Sequence, residues 1–461
     1  MSSESLKFLG STLGTLLLWC ALSASVWQPA VWLVPFICAW FLYSLMPETR
    51  HKPLKAALIN ALCAFLLVRS DFTSLLLGRD AVTAGLTNGF LDAHTLSLTL
   101  AALAAGLLWS LWGEKPLFKE RRFALGVLGA TALLLALQSL CLNPGFSAAM
   151  QIDSGRRPVG NDGSLYRQMY YRVCEGQSVY SAIAENCLLS GNVGIAPPFA
   201  FGYRLPSCFM LWKYCTWGWG MGVTYLFLIF SALAMYSVWR AGEAIIGSLP
   251  AYAAAAAIGP LFFYGVSSWL MLMTEYWAMF FVIFSLPFIV RRHSLGASLC
   301  LIMAAITREF MLLPALLLPA AAYAEKWEKK GWTCLPLAIG LTFLAVHLFT
   351  VFSCLPELLP CGLFDPDSGS GGWQFLLTML QYAEPFYACW AIVGPVLFVL
   401  SLLSLKYLPK GLSLVLGGFL LGFAVFAFLG GKSSSFYWGI IPTACILILS
   451  SWAPFCISER E

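Results

Sequence analysis

Charge is what this chain has least of: Asp, Glu, Lys and Arg together make up 11% of it. Soluble domains carry about a quarter of their residues as charges, so this scarcity leaves no room for a separate soluble domain and argues against a nucleic-acid role. The formal charge of +5 is dispersed over short loops rather than gathered on one face. Histidine is scarcer still. The four residues at 51, 94, 293 and 347 show no ligand spacing, so no required zinc is expected. Nucleotide fingerprints are missing too, since Gly430-Gly431-Lys432-Ser433-Ser434-Ser435 is too short for a phosphate-binding P-loop and lacks the preceding strand. No cofactor is implied. There is no internal repeat and no low-complexity tract.

Apolar residues fill the space: hydrophobic types reach 60% and the mean hydropathy is +0.79. Runs long enough to form membrane helices recur at 8–27, 28–46, 56–70, 95–113, 123–143, 218–239, 249–267, 270–290, 294–323, 333–354, 386–404, 411–429 and 437–455. The expected fold class is therefore all-α, a polytopic transmembrane bundle of about thirteen membrane helices at about 20 residues each. The run 294–323 is interrupted by Thr307-Arg308-Glu309 and should be two short helices meeting at a turn. The first segment ends in Ala21-Leu22-Ser23-Ala24-Ser25 like a signal peptide, but another apolar run follows at once and it is read as a retained span.

Lys and Arg concentrate in the short loops at Arg50, Lys52 and Lys55, at Lys115 to Arg122, at Arg291 and Arg292, at Lys326 to Lys330, and at Lys406 and Lys410. By the positive-inside rule these loops are cytoplasmic. Counting crossings from them places the 146–204 loop, the 356–375 loop, Arg308-Glu309 and the Lys432 loop together on the other side. A bacterial inner membrane is the expected setting, although an endoplasmic reticulum membrane would show the same bias. Most of the fifteen cysteines lie inside apolar runs as small packing residues. Cys174 and Cys187 share one extracytoplasmic loop, and Cys354 and Cys361 another, where local disulfides are open to them.

The polar island 146–204 holds the residues with chemistry. Asp162 is followed by Tyr166, then Tyr170-Tyr171, Gly176 and Tyr180, then Pro197-Pro198 and Tyr203-Arg204-Leu205-Pro206. An acidic residue after a span, an aromatic four residues on, a Gly and Tyr further along and a proline-bearing re-entry toward the membrane resemble the GT-C superfamily of polyprenyl-phosphate-sugar-dependent glycosyltransferases. Thr274-Glu275 and Arg308-Glu309 are weaker echoes of the same pattern. The resemblance covers roughly 123–455. Residues 1–122 form an N-terminal transmembrane extension outside it, and 123–461 would be the catalytic module, with short interfacial helices in its large extracytoplasmic loop.

That resemblance implies transfer of a sugar from a lipid-phosphate carrier to a glycan, lipid or protein acceptor, with inversion at the anomeric carbon. Asp162 would be the general base for the acceptor hydroxyl. Cations for the leaving phosphate would come from Arg204, Arg308 or Lys432. Tyr166, Glu275 and Glu309 would complete the substrate-binding set. Each has a plainer role open to it. Asp162 in Asn161-Asp162-Gly163 also reads as the N-cap of a helix over 163–174. Tyr166, Tyr170 and Tyr180 also read as a packed interfacial face, Arg204 as a headgroup anchor, Glu275 as a helix cap, and Arg308 and Glu309 as a local pair. Asp365-Pro366-Asp367 is the one close acidic pair in the extracytoplasmic loops, and its glycine-rich surroundings read as a turn. A transporter or lipid-glycan flippase without covalent chemistry is the competing class, and a scaffold subunit of an envelope-assembly complex is a third.

Overall fold

A computed structural model describes residues 162–183, 204–217, 220–263, 269–354, 372, 390–430 and 438–458, together with parts of a helical stretch between 124 and 136. The expected spans before residue 123 lie outside the described residues. Among the described residues every regular element is a helix and none is a strand. Two helices, Gly222–Ile246 and Lys330–Ser353, are long and apolar enough to cross a membrane.

The order is α1 (Asp162–Cys174), α2 (Ser207–Thr216), α3 (Gly220–Ile246), α4 (Ser248–Phe263), α5 (Thr274–Val290), α6 (Ser294–Thr307), α7 (Leu312–Ala324), α8 (Leu335–Cys354), α9 (Trp390–Ser404), α10 (Gly418–Gly430) and α11 (Ile440–Ser458). A short α-turn, Lys410–Leu412, and a π-helical stretch, Ser413–Gly417, lead into α10. The apolar runs from 218 onward thus become α3 to α11. The run at 218–239 stops at the first charge, but α3 continues through Arg240 and Glu243, which pair with each other one turn apart. The helix ends at Gly247, whose φ of 88° is left-handed and cheap only for glycine.

α5 is the central helix. It is apolar nearly all round, and a helix of that kind must be enclosed. Trp277, Phe280 and Phe284 meet Phe230 of α3 with ring centroids 5.3, 5.7 and 5.4 Å away. α4 carries Ala251 and the run Ala253 to Ala257, and such small residues let helices approach closely without side chains in the way. α6 and α7 form the expected hairpin around Arg308. Ser298 near the start of α6 donates 2.9 Å to the carbonyl of Trp332, beyond the end of α7, so the two helices run back alongside one another. Gly340 admits α8 to this pair: a Cβ there would lie 2.7 Å from Leu312 Cδ2 and 2.9 Å from Ala305 Cβ.

The basic turns come together at one end. Glu325, just past α7, pairs with Arg292, just past α5, at 3.5 Å, and accepts 2.7 Å from the N–H of Gly411. Pro409, at the N-cap of the 410–412 turn, provides no side-chain cap, so Glu325 supplies one from another helix. The turns at 291–292, 325–326 and 409–411 therefore share one end, as their common basic character predicts. α5 has 17 residues, so its start lies about 25 Å from that end.

Glu325→Ala removes the cap and should lower stability by about 1 kcal/mol, because the N–H of Gly411 loses its partner. Arg292→Ala should be nearly silent, since its side chain is 61% exposed. Thermal unfolding of the two purified variants checks the difference.

Candidate active site

α1 starts at Asp162, as the sequence predicts within a residue, and the Asp162 side chain lies outside the described residues. One turn later Tyr166 is buried, and its hydroxyl accepts 2.5 Å from Nε of Arg204. The guanidinium also lies 5.9 Å from the Tyr166 ring centre. Tyr166 meets Phe209 of α2 edge-on at 6.1 Å.

Further along α1, Tyr170 and Thr216 of α2 share a 2.8 Å hydrogen bond. Thr216 donates 2.6 Å to the Trp212 carbonyl, which assigns the donor role to the Tyr170 hydroxyl. Burial pushes that phenol above its usual range, with the Thr216 hydrogen bond opposing, so it stays protonated and able to donate. Lys213 donates 2.7 Å to the carbonyl of Val173 in the last turn of α1, which also accepts from the N–H of Gly176 at 3.2 Å. α2 thus grips α1 at both ends. Tyr166 and Tyr170 are packed residues of this junction. Tyr180 hydrogen-bonds Nδ1 of His347 in α8 at 3.0 Å, so it too is engaged within the protein.

The second group lies at the start of α5. Glu275 is in its first turn, where a carboxylate favours the helix dipole. Arg308 stands at the break between α6 and α7 with extended backbone, φ −146° and ψ 134°. Its Nη2 donates 2.5 Å to Oε1 of Glu275, and the two side chains are 1% and 0% exposed. The pair expected between neighbours Arg308 and Glu309 is secondary, at 3.4 Å from Nη1 to Oε1. The main partner is 33 residues upstream. Thr274 donates 3.3 Å to the other oxygen of Glu275, and the Arg308 guanidinium lies 4.9 Å from the Phe310 ring centre. Nε of Arg308 is buried without a hydrogen-bond partner.

Residues 204–209 join the two groups. Ser207 donates 2.5 Å to the carbonyl of Ile306, an acceptor freed by the end of α6. Next to it, burial raises the Cys208 thiol well above its usual range; Glu275 adds to the rise and Arg308 opposes it. A thiol held protonated is a packing residue and no nucleophile. Cys174 carries a free thiol.

Five of the expected site residues therefore fall into two adjoining sets, Tyr166 with Arg204, and Glu275 with Arg308 and Glu309. Lys432 lies outside the described residues, as do Cys187, Cys361, Asp365 and Asp367. The sequence reading passed over α2 and its residues Ser207, Cys208, Lys213 and Thr216. Its signal was there: Cys208, Phe209, Trp212 and Thr216 recur at helical spacing and are the buried face. Among the described residues no cluster of three or more His, Cys, Asp or Glu could hold a metal. No protein-family model, curated protein or solved structure matches the chain.

Removing one member of the buried pair strands the other charge. Glu275→Leu or Arg308→Met alone should each cost about 3–5 kcal/mol, while the double substitution should recover most of that loss. Thermal melts of the three purified variants measure this coupling. A double variant no more stable than either single one would refute it.

Proposed function

We propose that this chain is an integral membrane glycosyltransferase of GT-C type, with about thirteen membrane helices. It moves a sugar from a polyprenyl-phosphate carrier to a glycan, lipid or protein acceptor on the extracytoplasmic face. One observation carries the reading. The helix opened by Asp162 is fastened, through Arg204 and α2, to the end of the bundle that bears Glu275, Arg308 and Glu309, while the basic turns gather at the other end.

In the proposed reaction Asp162 takes the proton of the acceptor hydroxyl as that oxygen bonds to the anomeric carbon. The bond from the anomeric carbon to the phosphate oxygen breaks on the opposite face, and the polyprenyl phosphate leaves with the electron pair. The configuration inverts. Arg204 is the cation assigned to the leaving phosphate, and its Nε–H···Tyr166 hydrogen bond fixes the plane of its guanidinium. Lys432, from a loop expected on the same side, is assigned as a second cation. Arg308 receives a different role. Two carboxylates face its one guanidinium, so the local charge is already in negative excess and repels a phosphate. Glu275, Arg308 and Glu309 are therefore positioning residues that hold the break in the α6–α7 hairpin under α2.

The transporter reading draws on that same break, because interrupted helices with buried charges also mark translocation sites. It requires polar groups along the path. From α3 onward the charged residues of the described helices instead lie toward their ends, at 240 and 243, 275, 308–309, 325 and 410, which favours the enzyme.

Transfer assays with a panel of polyprenyl-phosphate sugars decide the matter. Purified wild type should transfer one of them, and Asp162→Asn should lower kcat by about 100-fold or more. Arg204→Ala should raise the donor KM about tenfold through the loss of a charged phosphate contact. Equal transfer by wild type and Asp162→Asn would remove Asp162 from the role of base. Vectorial movement of lipid-linked sugar by wild type and Asp162→Asn alike, with no transfer, would establish the transporter.

A further inference from the structure

α2 turns one face inward. Cys208, Phe209, Trp212 and Thr216 are buried against α1 and the core. Met210 and Leu211 are half-buried and also pack against the core, and the remaining side of this ten-residue helix carries Cys215, exposed, and Tyr214, 68% exposed. Lys213, its only charge, is turned back onto the Val173 carbonyl. Apart from Lys213 the helix is apolar on every side, and Tyr214 and Cys215 are the residues of it left exposed among the described residues. Its length is about 15 Å, half of what a bilayer core requires.

The end of α2 is also unusual. Trp217 caps it in the left-handed region, with φ 50°, where glycine is the ordinary choice and a bulky side chain is strained. Its indole is 93% exposed. Five residues on, the candidate span Gly222–Ile246 begins. Tyr and Trp at the end of a span are the side chains that settle at the boundary between headgroups and acyl chains, where the ring is in apolar surroundings and the polar edge stays wet.

We propose that α2 and Trp217 form a lipid-surface anchor. Tyr214 and Trp217 lie in the headgroup–acyl boundary of the extracytoplasmic leaflet, and the partner is the bilayer itself. The anchor has a specific consequence. Because α2 holds α1 through Thr216 and Lys213, its depth in the leaflet sets the depth of the helix that Asp162 opens. A carrier phosphate lies at that same level. The inference rests on the membrane reading of the chain and on no catalytic step.

The test places an environment-sensitive fluorescent amino acid at Trp217, and separately at Ile229, in the full chain reconstituted in phosphatidylethanolamine–phosphatidylglycerol nanodiscs. Ile229 is the comparison because it is an exposed residue of α3, two helical turns into the candidate span. Nitroxide-labelled lipids then report depth. The probe at 217 should be quenched about twofold more by nitroxide near the headgroup than by nitroxide near the chain end, and the probe at 229 should show the reverse order. Water-like emission at 217 without lipid quenching, while 229 is quenched, overturns the anchor and leaves the membrane reading standing. An absence of quenching at both sites overturns both. Emission at 217 that depends on having two copies per disc shows that a second chain is the occupant, and also overturns the proposal. None of these readouts uses transferase activity, so their outcome is independent of the assigned reaction.

Discussion

An arginine with 1% of its side chain exposed, inside a bundle made almost wholly of aliphatic and aromatic groups, is the constraint on which the rest of this arrangement turns. An unpaired guanidinium there would cost several kcal/mol, so Arg308 requires a carboxylate that is equally buried. Glu275 is that carboxylate, and it reaches the pair because it sits in the first turn of the enclosed helix α5. The break at 308 and the start of α5 must then occupy the same level. Once they do, the ridge of Trp277, Phe280 and Phe284 falls against Phe230 of α3. Packing and charge pairing specify the same register, which is the consistency expected of a sequence with one fold.

The same constraint brings the polar loop to the bundle. Leaving the helix at Arg308 frees carbonyl groups at the end of α6, and Ser207 satisfies the one at Ile306. That hydrogen bond fixes the start of α2, and α2 in turn receives α1 through Arg204, Phe209, Lys213 and Thr216. A helix of 13 residues with Asp162, Arg167 and Arg172 among them would have little reason to sit on an apolar bundle by itself. It is held by phenol, amine and hydroxyl groups aimed at backbone or at one another. The proposed base thus opens a helix whose position is set by side-chain hydrogen bonds together with the ring contacts of Tyr166 with Phe209 and of Tyr170 with Trp212.

Much of the helical order was legible in the sequence, because each run from 218 onward carries its own apolar signal and the turns at one end, 291–292, 326–330 and 406–410, carry basic residues. The hairpin break was legible as well, from Thr307-Arg308-Glu309 inside an otherwise apolar stretch. What could not be read was the partner of Arg308. Local spacing points to the adjacent Glu309, whereas burial selects Glu275, and only the packing of α5 against α6 makes that carboxylate available. α2 was missed for a related reason. It lies between a polar loop and a strong apolar run, so its ten residues blend into the flanks, and its helical spacing matters only once α1 is there to be held. The tyrosines of α1 point the same way: a row of phenols reads as a packed face or as a sugar platform, and Tyr166 and Tyr170 are buried against Phe209 and Trp212 of α2.

Arg308 and Arg204 show how burial separates two residues that a sequence cannot distinguish. Both are arginines expected on one side of the membrane, and both would serve a phosphate equally well on paper. Arg308 is fully enclosed and faces two carboxylates, so bringing a phosphate to it would add a third negative group in a medium where charges are poorly screened. Arg204 donates to the Tyr166 phenol, a contact that orients its guanidinium. The charge of Arg308 is already balanced by Glu275 and Glu309. Under the proposed reaction the two should fail differently when replaced: loss of Arg308 acts through the fold, and loss of Arg204 through the affinity for the donor phosphate.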